Sequence, residues 1–440
     1  MIFHLSGSND IYEQTWENSP IMGMTLTEKI MARAAGRATV RPGEIVYPEA
    51  DLATIHDLYV VEADTQLRAL GVERPWNPDR VFVCFDHDII PQSVAVANRA
   101  KNIRDIVQRW GVKHFYGPGR GQGHVFPMEI GLVRPGMCVQ AYDIHVTNYG
   151  AVGCLGISLV FEFPAVLATG SHWYRVPETI RIVLDGKFTP GVTIRDLAAL
   201  IIRQIGPDQA DYRVFEYTGP ALAHLGVDAR VKLCNLPIEI GAKTAIVPAD
   251  ELVSEWFKER SLKPFDPIES DPDAEFFAVY RFNLSDVEPM VALPPLPDNV
   301  VPLREAEGVP VHAAYLGSCA GDQYEDMAEA AEVLRGRRVA PGVRMIINPG
   351  SKEVAERCVR EGIMEVFLEA GACVGPPGCG PCAIGRGGPL ADGEVCIATV
   401  TRNDTGRMGS RKAEIYLSSA ATVAASAVAG QIADPREYLN

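Results

Sequence analysis

The sequence predicts an α/β protein of more than one layered domain, on three observations. A chain of 440 residues, 47% of them hydrophobic, exceeds the usual size of one core and can furnish two or three. Short β-rich runs alternate with segments of helical period. The polar residues suited to chemistry gather at the ends of those runs, where layered α/β folds place ligand groups.

In chain order, residues 1–23, MIFHLSGSNDIYEQTWENSPIMG, carry no helical period and read as an N-terminal extension. From Met24, MTLTEKIMARAAG spaces apolar residues for a helix, with Thr25 or Thr27 as cap and Gly36 as stop. RVFVCFDHDIIP (80–91) is a strand with a polar tip, and SVAVANRAKNIRDIVQRWG after it reads as a helix ended by glycine. The unit of strand, polar tip and helix returns in MCVQAYDIHVTNYGAVG, VRMIINPGSKEVAERCVREG and EVFLEAGACVGPPGCGPCAIG. The proline-rich run MVALPPLPDNVVPLREAEGVP (290–310) has few helix-compatible windows and is expected to link domains. The expected α/β/α units are 24–180, 181–292 and 293–440, with the clearest boundary near 293.

Composition narrows the function classes. No run of eighteen apolar residues and no basic segment leading into an apolar one is present, so neither a membrane span nor a secretory signal is expected, and the default compartment is the cytoplasm. Ten scattered cysteines read as reduced thiols, some of them available to a metal. A net charge of -15, from 41 basic and 56 acidic residues, repels phosphate backbones and argues against nucleic acid. An anionic substrate must then be met by a local basic pocket.

The densest chemistry lies in GPPGCGPCAIGRGG (375–388), where glycines flank Cys379 and Cys382 and let the backbone approach a large group closely. Cys319, in AYLGSCAGDQYED, also ends a β-rich run before a helix. Three thiolates can hold three corners of an iron–sulfur cubane. Zinc and redox chemistry are the alternatives for a Cys-x-x-Cys, but zinc lacks a second such pair, and the loop is too rich in glycine and proline to start a thioredoxin-type helix. The remaining seven cysteines read as small buried hydrophobes, with Cys373 the least certain of them because it lies near Cys379. Arg386 reads as a loop residue bonding backbone carbonyls. GPGRGQGH (117–124) lacks the Gly-Lys-Ser/Thr of a phosphate loop and reads as the approach to His124.

From about Met24 to the end, the chain resembles the aconitase superfamily, and within it the large subunits of 3-isopropylmalate dehydratase-type hydro-lyases. The resemblance is carried, in order, by MTLTEKIMARAAG, FDHDIIP, HVFPMEIGLVRPGM, DIHVTNYGAVGCLG, CNLPIEIGAK, GSCAGDQYED, INPGSKEVAE, PGCGPCAIG, TRNDTGRMGS and LSSAATVAASAVAGQIADP. It implies three-layer α/β/α domains around an iron–sulfur cluster cleft, without the C-terminal swivelling domain. It also implies that Cys319, Cys379 and Cys382 ligate a 4Fe-4S cluster whose uncoordinated iron acts as a Lewis acid.

The same resemblance implies three acid–histidine pairs: Asp86 with His87, Asp143 with His124, and Glu239 with His145. Such pairing fixes a tautomer and favours a protonated ring, and His87 is the first choice as proton donor to the leaving hydroxyl. Arg402 and Arg407 match the family's substrate-carboxylate arginines, whose planar fork suits that anion. Asn148 and Asn235 match polar groups around cluster and substrate. The implied substrate is a small malate-type dicarboxylic acid. The serine base that removes its Cα proton belongs, in this family, to the swivelling domain, so a small-subunit partner carrying that serine is expected.

Departures from the family pattern qualify the substrate. Ile144 stands where Asp-Ser-His is usual, Val146 replaces a threonine, GSCAG replaces Gly-Ser-Cys-Thr-Asn, and Thr401 stands where an asparagine usually precedes Arg402. An apolar residue in place of a donor leaves a polar substrate group unpaired, at about 1–3 kcal/mol. A different or more apolar substituent is therefore expected. A non-catalytic iron–sulfur sensor and a cluster-free scaffold retaining the fold are the competing readings; acidic charge opposes the first.

Overall fold

The computed structural model describes residues 23–439, so the extension expected over 1–23 lies, but for Gly23, outside the described residues. Three large sheets, with a two-stranded antiparallel ribbon of Ile45–Val46 and Tyr174–Arg175, organise the described residues. In the first, strands His114–Tyr116, Val81–Cys84, Leu52–His56, Cys138–Ala141 and Leu155–Ser158 lie side by side, all parallel. The second runs Thr244–Ile246, Val214–Thr218, Thr179–Asp185, Ala278–Asn283, again parallel. The third has seven strands: Val300–Pro302 and Met290–Ala292 pair antiparallel at one edge, and Glu414–Leu417, Val395–Ala398, Ala313–Leu316, Arg344–Ile347 and Cys373–Val374 continue in parallel.

Burial explains the strand sequences. Leu52–His56, Val81–Cys84, Cys138–Ala141 and Ala313–Leu316 are buried at every position, as parallel strands covered on both faces must be. The covering helices follow their sequence signals. Thr25 and Glu28 form a reciprocal capping box on Leu26–Ala34. Ser93 caps Val94–Trp110, which buries Ala100, Ile103, Ile106, Val107 and Trp110 at helical spacing and stops at Gly111 with φ 72°.

Two local expectations are corrected. The segment EVFLEAGACV is mostly helix, Ile363–Ala370, and its strand is confined to Cys373–Val374; Val366, Phe367 and Ala370 bury one face of a helix, a spacing that outweighs the β-branched content. The proline-rich run is more than a connector, since Met290–Ala292 and Val300–Pro302 form the antiparallel edge of the third sheet, a position where a proline loses no ladder bond.

The sheets share apolar cores. Ile180, Phe215 and Leu233 belong to one cluster with Ala313, Tyr315 and Ala398, while Val214 and Ile246 pack into the core of the first sheet. This packing fixes the loops leaving one sheet relative to those leaving another. Among the described residues no helix is long and apolar enough to cross a membrane.

Candidate active site

The loops that leave the C-terminal ends of parallel strands in the first and third sheets meet at one cleft. Strands Leu52–His56 and Val81–Cys84 pair with His56 opposite Cys84, so Asp57 and Asp86 follow at adjacent strand ends. Asp143 caps the turn that follows Cys138–Ala141. From the third sheet come Cys319, after Ala313–Leu316, and Arg402, after Val395–Ala398. The loop after Cys373–Val374 supplies Cys379 and Cys382. The cleft encloses about 190 Å³ and is lined by His87, Gln122, His124, Ile144, the three cysteines and both arginines, among others.

Each acid–histidine pair is in contact. His87 Nδ1 lies 2.7 Å from Asp86 Oδ1 and 3.0 Å from Asp57 Oδ1. Asp86 gives its other oxygen to His56 Nδ1 at 2.7 Å. His124 Nε2 meets Asp143 Oδ1 at 3.1 Å, and His145 Nε2 meets Glu239 Oε1 at 2.9 Å. Glu239 also accepts from Arg402 Nε at 2.5 Å, which leaves the terminal guanidinium nitrogens uncommitted among the described residues. Arg407 directs Nη2 at Cys382 Sγ, 3.6 Å away, and its buried Nε has no partner.

The surroundings split the histidines into two kinds. Burial alone would lower the affinity of His87 for a proton, but Cys379, Asp86 and Asp57 together hold its pKa well above the usual value. His124 is pushed the other way, to about 4, by burial and by the charge of His56, which outweigh Asp143. Asp86 and Asp143 lie well below the carboxylate range: burial opposes ionisation, and the surrounding histidines overcome it. Glu239 is likewise lowered against its burial by His145 and Arg402. The surroundings thus favour the protonated form of one ring and the neutral form of another in the same cleft, a separation on which acid and base roles depend.

The cysteine loops suit an iron–sulfur group. Cys319 and Cys379 have pKa values pushed up chiefly by burial, aided by neighbouring cysteines and acids and opposed at Cys379 by His87, so their thiolate forms call for further positive charge, which a cluster would supply. Donors already face the sulfurs: Asn235 Nδ2 lies 3.3 Å from Cys319 Sγ and Ser318 Oγ lies 3.3 Å from Cys382 Sγ. Close to the thiols, Ser318 and Ile384 have φ of 70° and 58°, left-handed backbone that side chains rarely adopt and that concentrates at functional sites. A Cβ on Gly378 would stand 2.8 Å from the Asp86 carbonyl. Glycine there lets the cysteine loop lie directly on the histidine loop, with Cys379 N donating to Asp86 O at 2.9 Å.

Not every expected residue reaches the cleft. Asn148 and Asn235 do not line the cleft but adjoin Cys319: Asn148 Nδ2 donates to the Cys319 carbonyl at 3.1 Å, and Asn235 Nδ2 donates to Asn148 at 2.8 Å and faces the Cys319 sulfur at 3.3 Å. Arg386 bonds the Ala383 carbonyl as expected, and it also pairs with Asp88 at 2.8 Å. Cys373 is exposed, not buried, because its strand is the sheet edge. Sequence reasoning missed His56, Asp57, Tyr59 and Gln122. Tyr59 donates to Asp143 Oδ2 at 3.1 Å. A signal was available, since IHD and FDHD end two consecutive strands alike.

Strand ends that bring three thiols from one sheet against acid–histidine pairs from another define a protein of the aconitase class. The family model of the aconitase family (aconitate hydratase) matches residues 28–308 and 304–430. The 3-isopropylmalate dehydratase large subunit 1 of Methanopyrus kandleri is 43% identical over 419 residues, covering 95% of this chain and 100% of the relative. The 3-isopropylmalate dehydratase large subunit of Aquifex aeolicus is 39% identical over 424 residues, covering 95% and 98%. The crystal structure of Thermococcus kodakaraensis aconitase X in its holo-form aligns with a TM-score of 0.48 and 11% identity, over 81% of this chain and 84% of that one. The chain belongs to the aconitase family, and these curated relatives within it are dehydratase large subunits.

Proposed function

We propose that this chain is the large subunit of a hydro-lyase that removes and restores water on a small malate-type hydroxydicarboxylic acid. The observation that carries the proposal is the joint presence in one cleft of two arginines, a histidine held by two carboxylates and three convergent thiols. Cys319, Cys379 and Cys382 hold a 4Fe-4S cluster, which when bound supplies Lewis acidity toward a hydroxyl and a carboxylate. Arg402, its Nε anchored by Glu239, presents its remaining nitrogens to a substrate carboxylate, and Arg407 has an unpartnered Nε for the same purpose. His87, with Nδ1 held by Asp57 and Asp86, keeps Nε2 as the proton donor to the departing hydroxyl. His124, neutral and bonded to Asp143 through Nε2, retains an unpartnered Nδ1 as acceptor.

The wall formed by Leu58, Tyr142, Ile144 and Val160 supports a substrate whose substituent is apolar. The base for the Cα proton comes from a small-subunit partner, and the complex works in the cytoplasm. The test is anaerobic purification with that partner, followed by iron analysis and a screen of 2-hydroxy and 3-hydroxy diacids and their enoates. A brown complex active on a malate-type acid, losing both colour and activity on Cys382→Ser, is the expected result. A colourless complex after anaerobic reconstitution refutes the cluster, and a brown complex inert on every hydroxydiacid refutes the reaction.

A further inference from the structure

We propose that Gln122 is a specificity-determining contact of the cleft, its amide oxygen accepting the hydrogen bond of the substrate's hydroxyl. The inference rests on the hydro-lyase reading and assigns a role to a residue that reading leaves idle.

Gln122 lines the cleft and is fully buried, yet its Oε1 has no partner. A buried acceptor left unpaired costs about 1–3 kcal/mol, so native proteins rarely keep one without a ligand or water to complete it. The amide's orientation is fixed by its other end. Nε2 sits between two acceptors, the Asp322 carboxylate and the Gly378 carbonyl, the latter at 3.2 Å. Turning the amide over would set the oxygen against the Gly378 carbonyl, which can only accept, and lose that bond. The backbone is equally set: Gln122 N donates to the Gly350 carbonyl at 2.8 Å, and Val125 N donates back to the Gln122 carbonyl at 3.0 Å.

A census of acceptors points to the ligand atom. The carboxylates around the site are engaged or turned away from the cleft: Asp57 accepts from His87 and the Asp88 amide, Asp86 Oδ2 from His56 and the Gly123 amide while its Oδ1, which does not line the cleft, lies against His87 Nδ1 at 2.7 Å, Asp143 accepts from His124 and Tyr59, and Glu239 from His145 and Arg402. Among the described cleft-lining residues, the buried acceptors without partners are Gln122 Oε1 and His124 Nδ1. Ionised dicarboxylates offer only acceptors, which the arginines match. The one donor such a substrate carries is its hydroxyl. Protonation of that hydroxyl makes water, with two hydrogens, and the cleft has two free acceptors. Gln122 accepts the hydrogen present from the start, and His124 accepts the one that arrives with the proton.

The discriminating experiment compares affinities for a substrate and for the deoxy diacid that lacks only its hydroxyl, using the cluster-loaded complex. In Gln122→Met the hydroxy acid weakens by about tenfold to a hundredfold, while the deoxy diacid stays within about twofold and the iron content is unchanged. If the methionine variant does not fold, the parent complex is compared on the hydroxy acid and its methyl ether, which keeps the oxygen but lacks the donor and is expected to bind about tenfold or more weakly. A preference that survives in Gln122→Met, or an ether that binds the parent as tightly as the hydroxy acid, overturns the inference while leaving the hydro-lyase reading intact. A wild-type complex that neither binds nor dehydrates any hydroxydiacid refutes the underlying reading instead.

Discussion

Glu239→Gln tests whether Arg402 is held in place for the substrate. The Glu239 side chain is 2% exposed and accepts two charge-assisted bonds, from His145 at 2.9 Å and from Arg402 at 2.5 Å. Glutamine has one acceptor oxygen in place of two, so one donor must face the new NH2. A hydrogen bond to a charged group contributes about 1.5–3 kcal/mol. His145 and Glu239 are both buried, whereas the Arg402 side chain is 37% exposed and can recover water. Arg402 is therefore the partner that lets go, and the loss falls at the lower end, about 1.5 kcal/mol, or roughly tenfold in affinity. The assay follows the ultraviolet absorbance of the enoate in the complex with its small subunit. KM is expected to rise about tenfold, with kcat changed less and iron content unchanged. The sign with pH also follows. Glu239 is depressed in the folded protein, so its contribution is complete above the ordinary value of 4.5 and is lost as pH falls below it; the variant should lose less stability on acidification. An unchanged KM would falsify the anchoring of Arg402.

Two further outcomes rest on single residues. Gly378→Ala should displace the Ile89 side chain and the Asp86 carbonyl, which its Cβ would meet at 2.0 and 2.8 Å, costing about 1–3 kcal/mol of stability and lowering cluster retention; a variant that melts and retains iron as the parent does contradicts the close approach. Glu129 has its pKa raised from 4.5 to about 8 by burial and by repulsion from Glu353, against the hydrogen bond from Ser351. Folding then favours its protonated form, so its contribution is present below about pH 4.5 and is lost as pH rises through about 8. Glu129→Gln should flatten the decline of Tm across that window, and parallel parent and variant curves refute the assignment.

The strands, caps and thiols were legible because each is a local signal. Thr25 before Glu28, Ser93 before an apolar period and two cysteines among glycines need no knowledge of the rest of the chain. The helix Ile363–Ala370 was misread because its buried positions Val366, Phe367 and Ala370 are interrupted too soon for a long period to declare itself. What sequence could not give is contact between loops of different strands. Asp57 reaches His87 only because two strands pair with His56 opposite Cys84, and Gln122 meets Gly378 across 256 positions. Asn148 and Asn235 look like cleft residues in a motif, and only the packing around Cys319 separates them from it.

The division of labour between the sheets also has a consequence in time. The histidine loops are complete once residue 145 has been synthesised, whereas the last thiol arrives only with Cys382. A ribosome-bound chain that has added Leu155–Ser158 can therefore bury the first sheet with His87 and His124 already matched to Asp86 and Asp143, while His145 waits for Glu239. On the proposed reading, cluster insertion waits for the third sheet, so apoprotein lacking iron is expected to be a folded body with its acid–histidine contacts in place rather than an unfolded chain.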